Sequence, residues 1–160
     1  MTTLLRDDLE RAQRAAVVAQ ARRWIGTPYH PMADVRGAGV DCGMLLVRVF
    51  VDSGLVPPFD PRPYPIDWHL HHDGERYLAI VLKHCTEVAT PQPGDVAVFR
   101  YGRCYAHGGI VTAADPLAIV HAFSPAQRTL EEPVNRNGVL AQALRKPRFF
   151  SRWAAAGATP

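Results

Sequence analysis

Gly39-Val40-Asp41-Cys42-Gly43-Met44-Leu45-Leu46-Val47-Arg48-Val49-Phe50 (GVDCGMLLVRVF) decides how the rest of the chain reads. Aspartate is a favoured N-cap, because its carboxylate accepts hydrogen bonds from the orphan N–H groups of a helix start. A helix capped by Asp41 puts Cys42 at its first position and gathers Leu45, Leu46, Val49 and Phe50 on one buried face. Gly54 and Pro57-Pro58 end it. The first turn of a helix stabilises a thiolate through the dipole and free N–H groups, which a mid-helix cysteine would not feel. Gly39 and Gly43 leave room for a substrate carbonyl. The stretch therefore predicts a nucleophilic Cys42. The competing reading, a small buried apolar residue, describes most free cysteines but leaves the helix-start position unexplained.

Working outward, the spacing predicts a first helix from about Asp7 to Trp24, with Val17, Ala21, Trp24 and Ile25 on one stripe. Gly26 and Pro28 stop it, and Thr27 to Val40 reads as a loop. Pro57 to Pro65 reads as an extended connector. A third helix is expected from about Asp73 to Cys85, which places Cys85 on an apolar stripe. The period then changes. Asp95 to Arg100, Gly109 to Ala113 and Ala118 to Phe123 read as strands bounded by Pro93-Gly94, Asp115-Pro116 and Ser124-Pro125. A further strand is expected near Arg128 to Val134. Phe149 to Trp153 is apolar enough to pack on the sheet, Val139 to Lys146 reads as a short helix, and Ala154 to Pro160 as a frayed end. Helices followed by an antiparallel sheet make a single α+β domain over residues 1–160.

A nucleophile needs a base. His107 and His121 flank a turn signal at Ala114-Asp115-Pro116, near their midpoint. A hairpin folded there makes them approximate cross-strand neighbours on one face, close even if Pro116 shifts the register by one. Such a pair suits a base and a group that orients it. Cys104, three residues before His107 in what reads as a loop, is the rival nucleophile but lacks a helix start. His69, His71 and His72 would face in different directions on a strand or a helix. They read as surface or cleft lining, with no metal site expected.

Composition narrows the classes. The 160 residues are 48% hydrophobic and 21% charged, and the formal charge is +3. That is ordinary for a globular domain. No Lys/Arg run of the kind that grips nucleic acid is present, so no nucleic-acid partner is expected. Three cysteines without a C-x-x-C pair exclude a zinc ribbon and a complete disulfide framework. No apolar run reaches membrane-span length. Charged residues near the N-terminus leave no signal-peptide core, so synthesis in the cytoplasm is expected.

Five pieces in order resemble the NlpC/P60 cysteine peptidases: Trp24-Ile25-Gly26-Thr27-Pro28-Tyr29, Gly39-Val40-Asp41-Cys42, Pro93-Gly94-Asp95 with Phe99, His107-Gly108-Gly109-Ile110 and Val120-His121-Ala122. They span about residues 15 to 125. The resemblance implies a compact papain-like fold, with Cys42 as nucleophile, His107 as base and His121 as third polar residue. It further implies that Tyr29, Asp41, Gly43 and His30 border the substrate and that the Cys42 N–H helps hold the oxyanion. It implies hydrolysis of bacterial cell-wall stem peptides, typically between D-γ-glutamate and diaminopimelate, with no cofactor. The chain departs from the family at Gly43, where serine is common, and in a Tyr29–Cys42 loop without the usual Trp-Gly-Gly. WIGTPYH, DWHLHHDGERYL and PGDVAVFRYGR resemble the subgroup carried on phage and gene-transfer-agent tails, which implies phage-like tail partners and delivery to a target wall. A non-hydrolytic tail component that binds wall peptides, or an acyltransferase or amidase on the same fold, are the alternatives.

Overall fold

The structure is a computed structural model that describes residues 2–65, 67–71 and 74–155. The expected third-helix start at Asp73, the residue His72 and most of the expected frayed end lie outside the described residues. Helix α1 spans Thr3–Arg22 and buries Val17, Val18 and Ala21. Trp24 joins the stripe at 3% exposure, but Ile25 is exposed. The helix has already ended at Arg22, so helical spacing no longer governs position 25.

The expected loop carries two short paired strands, β1 (Asp34–Val35) and β2 (Gly39–Val40). Helix α2 (Cys42–Asp52) follows directly, capped by Asp41. Its apolar face is fully used: Met44, Leu45, Leu46, Val47, Val49 and Phe50 are all buried. The span expected as one helix over 73–85 holds the seven-residue α4 (Arg76–Leu82), and a four-residue α3 (Trp68–His71) precedes it. The last turn closes with Cys85 N–H donating to the Val81 carbonyl at 2.9 Å. The chain then becomes extended as β3 (Thr86–Val88).

The main sheet adds β4 (Val96–Tyr101), β5 (Cys104–Ala114), β6 (Leu117–Phe123), β7 (Arg128–Pro133) and β8 (Arg148–Ser151). Its order is β3-β8-β4-β5-β6-β7, and every pairing is antiparallel. The fold is therefore α+β, with helices on a six-stranded antiparallel sheet. Two expectations are corrected here. Cys104 lies on β5 and not in a loop, and the strand begins well before Gly109; Gly108-Gly109 breaks the β-branched pattern that marks a strand, which hides its first half. Val139–Lys146 is not a helix and contains only a 3-10 turn at Ala143–Arg145.

Alternation along β4 divides the core. Val96 and Val98 join Val17, Leu45, Val49, Ile110, Val120 and Phe150 beneath α1 and α2. Ala97 and Phe99 face the other way, with Val111, Ile119, Phe123 and Leu140. This is the two-residue period of a sheet covered on both sides. The packing fixes α2 so that its N-terminus, and with it Cys42, meets the first half of β5.

Candidate active site

Asp41 organises the N-terminal end of α2. Its Oδ1 accepts from Met44 N–H at 2.8 Å, the capping bond that starts the helix. Its Oδ2 accepts from Met32 N–H at 2.6 Å, and the Tyr64 hydroxyl lies 2.9 and 2.7 Å from the two oxygens. The carboxylate is 4% exposed and its oxygens are engaged by the protein's own donors. Those bonds fix Asp41 as a structural clamp across α2, the preceding loop and the proline-rich connector.

Cys42 takes the first helical position, as expected, and is partly open to a cavity of about 350 Å³. Its Sγ lies 3.8 Å from the Ala106 carbonyl, to which the thiol donates. The Gly108 N–H and the Tyr77 hydroxyl also reach the sulfur. The two chain neighbours of His107 thus touch the thiol from β5. Burial nevertheless pushes the Cys42 thiol up to about 12, with the Asp41 carboxylate adding to the rise. The expected helix-start thiolate is corrected accordingly: the helix-end donors are present, but desolvation and a neighbouring negative charge outweigh them. The resting group is a thiol.

His107 and His121 meet directly. The β5–β6 register pairs Ile110 with Val120 and shifts by one residue between Val111 and Ala113. Continued past Ile110, it sets Gly109 opposite His121, so the two histidines are diagonal neighbours. His107 Nε2 lies 2.8 Å from His121 Nδ1. The His107 ring is 7% exposed, enclosed by Phe99, Tyr101 and Phe123. Burial holds it well below the usual histidine range, reinforced by His121 and Arg145. It is therefore neutral at pH 7 and able to accept a proton. His121 is fully buried, and its other nitrogen, Nε2, contacts Glu132 Oε1 at 2.9 Å.

The glycine pair makes this approach possible. A Cβ on Gly109 would stand 2.9 Å from the Val120 carbonyl and 3.1 Å from His121 Cβ. A Cβ on Gly108 would collide with the Tyr77 hydroxyl, which lies over β5 and reaches the Cys42 carbonyl at 3.4 Å.

Tyr29 and Gly43 also line the cavity, whereas His30 is exposed and is not among its lining residues. A Cβ on Gly43 would stand 3.4 Å from the Tyr64 hydroxyl, so Tyr64 fills the space beside this position. Cys104, at 2% exposure, and Cys85 also line the cavity. Of the histidine run, His71 Nε2 forms an exposed pair with Asp67 at 3.3 Å. No group of three metal-ligating side chains occurs among the described residues.

Four residues of this site went unnoticed in the sequence. Tyr64 falls in the extended proline-rich connector, and Tyr77 falls at helical spacing with Cys85. Glu132 and Asn137 follow His121 by one strand, and only the β6–β7 register reveals that Glu132 shares its face. That signal, an acidic residue among the inward positions of a strand, was available once the strand was placed.

The same architecture occurs in solved structures. The NlpC/p60 domain of the peptidoglycan hydrolase SagA matches at 19% identity and a TM-score of 0.54, covering 84% of this chain and 96% of that one. The fold is that of an NlpC/P60 domain. Two structures of an N-acetylmuramoyl-L-alanine amidase from Bacteroides uniformis match this chain at 12% and 13% identity. Their TM-scores are 0.60 and 0.58, and each covers 88% of this chain and 98% of the other. No protein-family model and no curated protein sequence matches the chain.

Proposed function

We propose that this chain is a cysteine peptidase that hydrolyses peptide bonds in the stem peptides of bacterial peptidoglycan. One observation carries the reading: a thiol at a helix start, touched by both chain neighbours of a buried neutral histidine, which in turn contacts a second histidine at 2.8 Å. Support for the substrate class comes from the wall-active proteins that share the fold.

In this mechanism His107 removes the Cys42 proton as the sulfur attacks the amide carbonyl. The thiol and imidazole both start neutral, so charge develops only as the bond forms. The backbone N–H of Cys42, at the helix start, holds the oxyanion. His107 then returns its proton to the leaving amine, and water activated by His107 releases the acyl group from sulfur. His121 orients His107, and Tyr29 and Gly43 border the substrate. Every step is performed by side chains and backbone of this chain.

The preferred bond in this reading is D-γ-glutamyl-diaminopimelate. The amidase bond, N-terminal to the stem, is the second reading, suggested by two of the solved structures that share the fold. Delivery with a phage or gene-transfer-agent tail belongs to the same proposal and rests on the resemblance of the WIGTPYH and PGDVAVFRYGR segments. Purified muropeptides of defined stem composition test the activity. A new amino terminus at diaminopimelate supports the first bond, a free lactyl carboxylate the second, and intact muropeptides refute both.

A further inference from the structure

The polar groups behind His107 form a row with a direction. Register along β6 and β7 pairs His121 with Leu130 and Ile119 with Glu132. Glu132 therefore shares a face with His121. Its Oε1 lies 2.9 Å from His121 Nε2 and accepts from Asn137 Nδ2 at 2.7 Å. Asn137 is 7% exposed and is itself held: its Oδ1 accepts from Val139 N–H at 3.0 Å and Leu140 N–H at 2.9 Å. Two backbone donors on the oxygen leave the amide nitrogen to face the carboxylate, so the orientation of Asn137 is set by the chain.

From that anchor the proton positions follow one by one. An ionised carboxylate only accepts, so His121 Nε2 must carry its hydrogen. A neutral imidazole has a single N–H, which leaves His121 Nδ1 bare. The 2.8 Å contact then requires His107 Nε2–H to donate to it. His107 Nδ1 is consequently the bare nitrogen. We propose that Glu132, held by Asn137, is a positioning residue that dictates the tautomers of both histidines, so that the lone pair of His107 Nδ1 is the one available to the Cys42 proton. This rests on the reading of Cys42 as nucleophile and His107 as base. It adds a fourth and a fifth member that the sequence spacing of cysteine and histidines does not suggest. Replacing an orienting group by one of the wrong hydrogen-bonding sense disables a base that is otherwise intact.

Two measurements on the intact chain test it, neither of which needs a substrate. Long-range proton–nitrogen NMR of the histidine rings reads the tautomers directly. Wild type is expected to show both His107 and His121 protonated at Nε2. Glu132→Leu, which removes the acceptor, is expected to bring an Nδ1-protonated population to His107. Glu132→Gln, which retains an acceptor oxygen without the charge, is expected to keep the wild-type tautomers. Alkylation of Cys42 by iodoacetamide at pH 7 is expected to slow about tenfold or more in Glu132→Leu, and less in Glu132→Gln. A purely structural role would lower the melting temperature of Glu132→Leu while leaving its ring tautomers and alkylation rate as in wild type, and that result would overturn the proposal. So would an Nδ1-protonated His107 in wild type. If instead His107→Ala leaves alkylation unchanged, the nucleophile–base reading itself fails, while the ring spectra still decide what Glu132 does.

Discussion

Cys42 and His107 are tuned in opposite directions by one cause. Burial disfavours the charged form of each, which raises the thiol and lowers the imidazole. The sign of the pH dependence follows. In the proposed mechanism His107 acts as the neutral base, so kcat/KM is expected to stay level as pH falls through the usual histidine range, and to drop only below it. Cys42 holds its proton up to about 12, so no alkaline loss from thiol ionisation is expected near pH 8 to 9. A pH–rate profile checks both limbs; a loss already near pH 7 would place His107 in the usual histidine range, and an alkaline limb near 8.5 would mean a preformed thiolate–imidazolium pair. Asp41→Asn keeps a capping side chain but removes the charge that holds the thiol up. Faster alkylation of Cys42 at fixed pH is expected, measured with iodoacetamide. His107→Ala is expected to cost more activity than His121→Ala, because moving the proton contributes more than orienting the group that moves it; unchanged turnover in His121→Ala would remove it from the site. The cysteine and both histidines were legible from residue type and spacing. Glu132 was not, because its role exists only through a neighbouring strand's register. The thiol's protonation was misread because burial is a tertiary quantity that a helix-start argument leaves out.

At the scale of elements, the hairpin of β5 and β6 does the positioning, and its two glycines are what permit it. Gly108 makes way for Tyr77 and Gly109 for the backbone of β6. Gly108→Ala is expected to destabilise the fold by about 1–3 kcal/mol through overpacking against Tyr77. Adding Tyr77→Phe, which removes the colliding hydroxyl, should recover part of that loss in a thermal melt. Equal melting temperatures for the single and double variants would show that Tyr77 is not what the glycine accommodates. The turn at Ala114–Pro116 was readable, and so was the closeness of the two histidines. The strand's first half was not, since the glycines that let the elements meet also erase the local β signature. The third helix was overextended for a related reason: Cys85 fits a helical stripe by spacing, yet the chain has turned into β3 by Thr86.

At the scale of the molecule, the last described strand completes the first half of the sheet. β8 inserts between β3 and β4, and Phe150 is fully buried in the main core. The apolar run at Phe149–Trp153 was legible as a packing segment, but its place inside the sheet depends on long-range pairing that no local pattern carries. A buried ion pair ties α1 to the same region: Arg14 Nη1 meets Asp95 Oδ1 at 2.7 Å, with Arg14 also stacked over Trp153. Asp95→Ala removes one of the two carboxylates on that guanidinium, Glu10 remaining at 2.8 Å, and is expected to destabilise by about 1–3 kcal/mol, measured by denaturant unfolding. The α+β architecture itself was readable from the change of period after residue 85. The proposed function requires this architecture to present the Cys42 thiol for amide hydrolysis in wall peptides. Mass spectrometry of defined muropeptides, incubated with wild type and with Cys42→Ala, tests it most directly. A new amine at diaminopimelate is expected with wild type only. Intact muropeptides with wild type, or equal cleavage by Cys42→Ala, would contradict it.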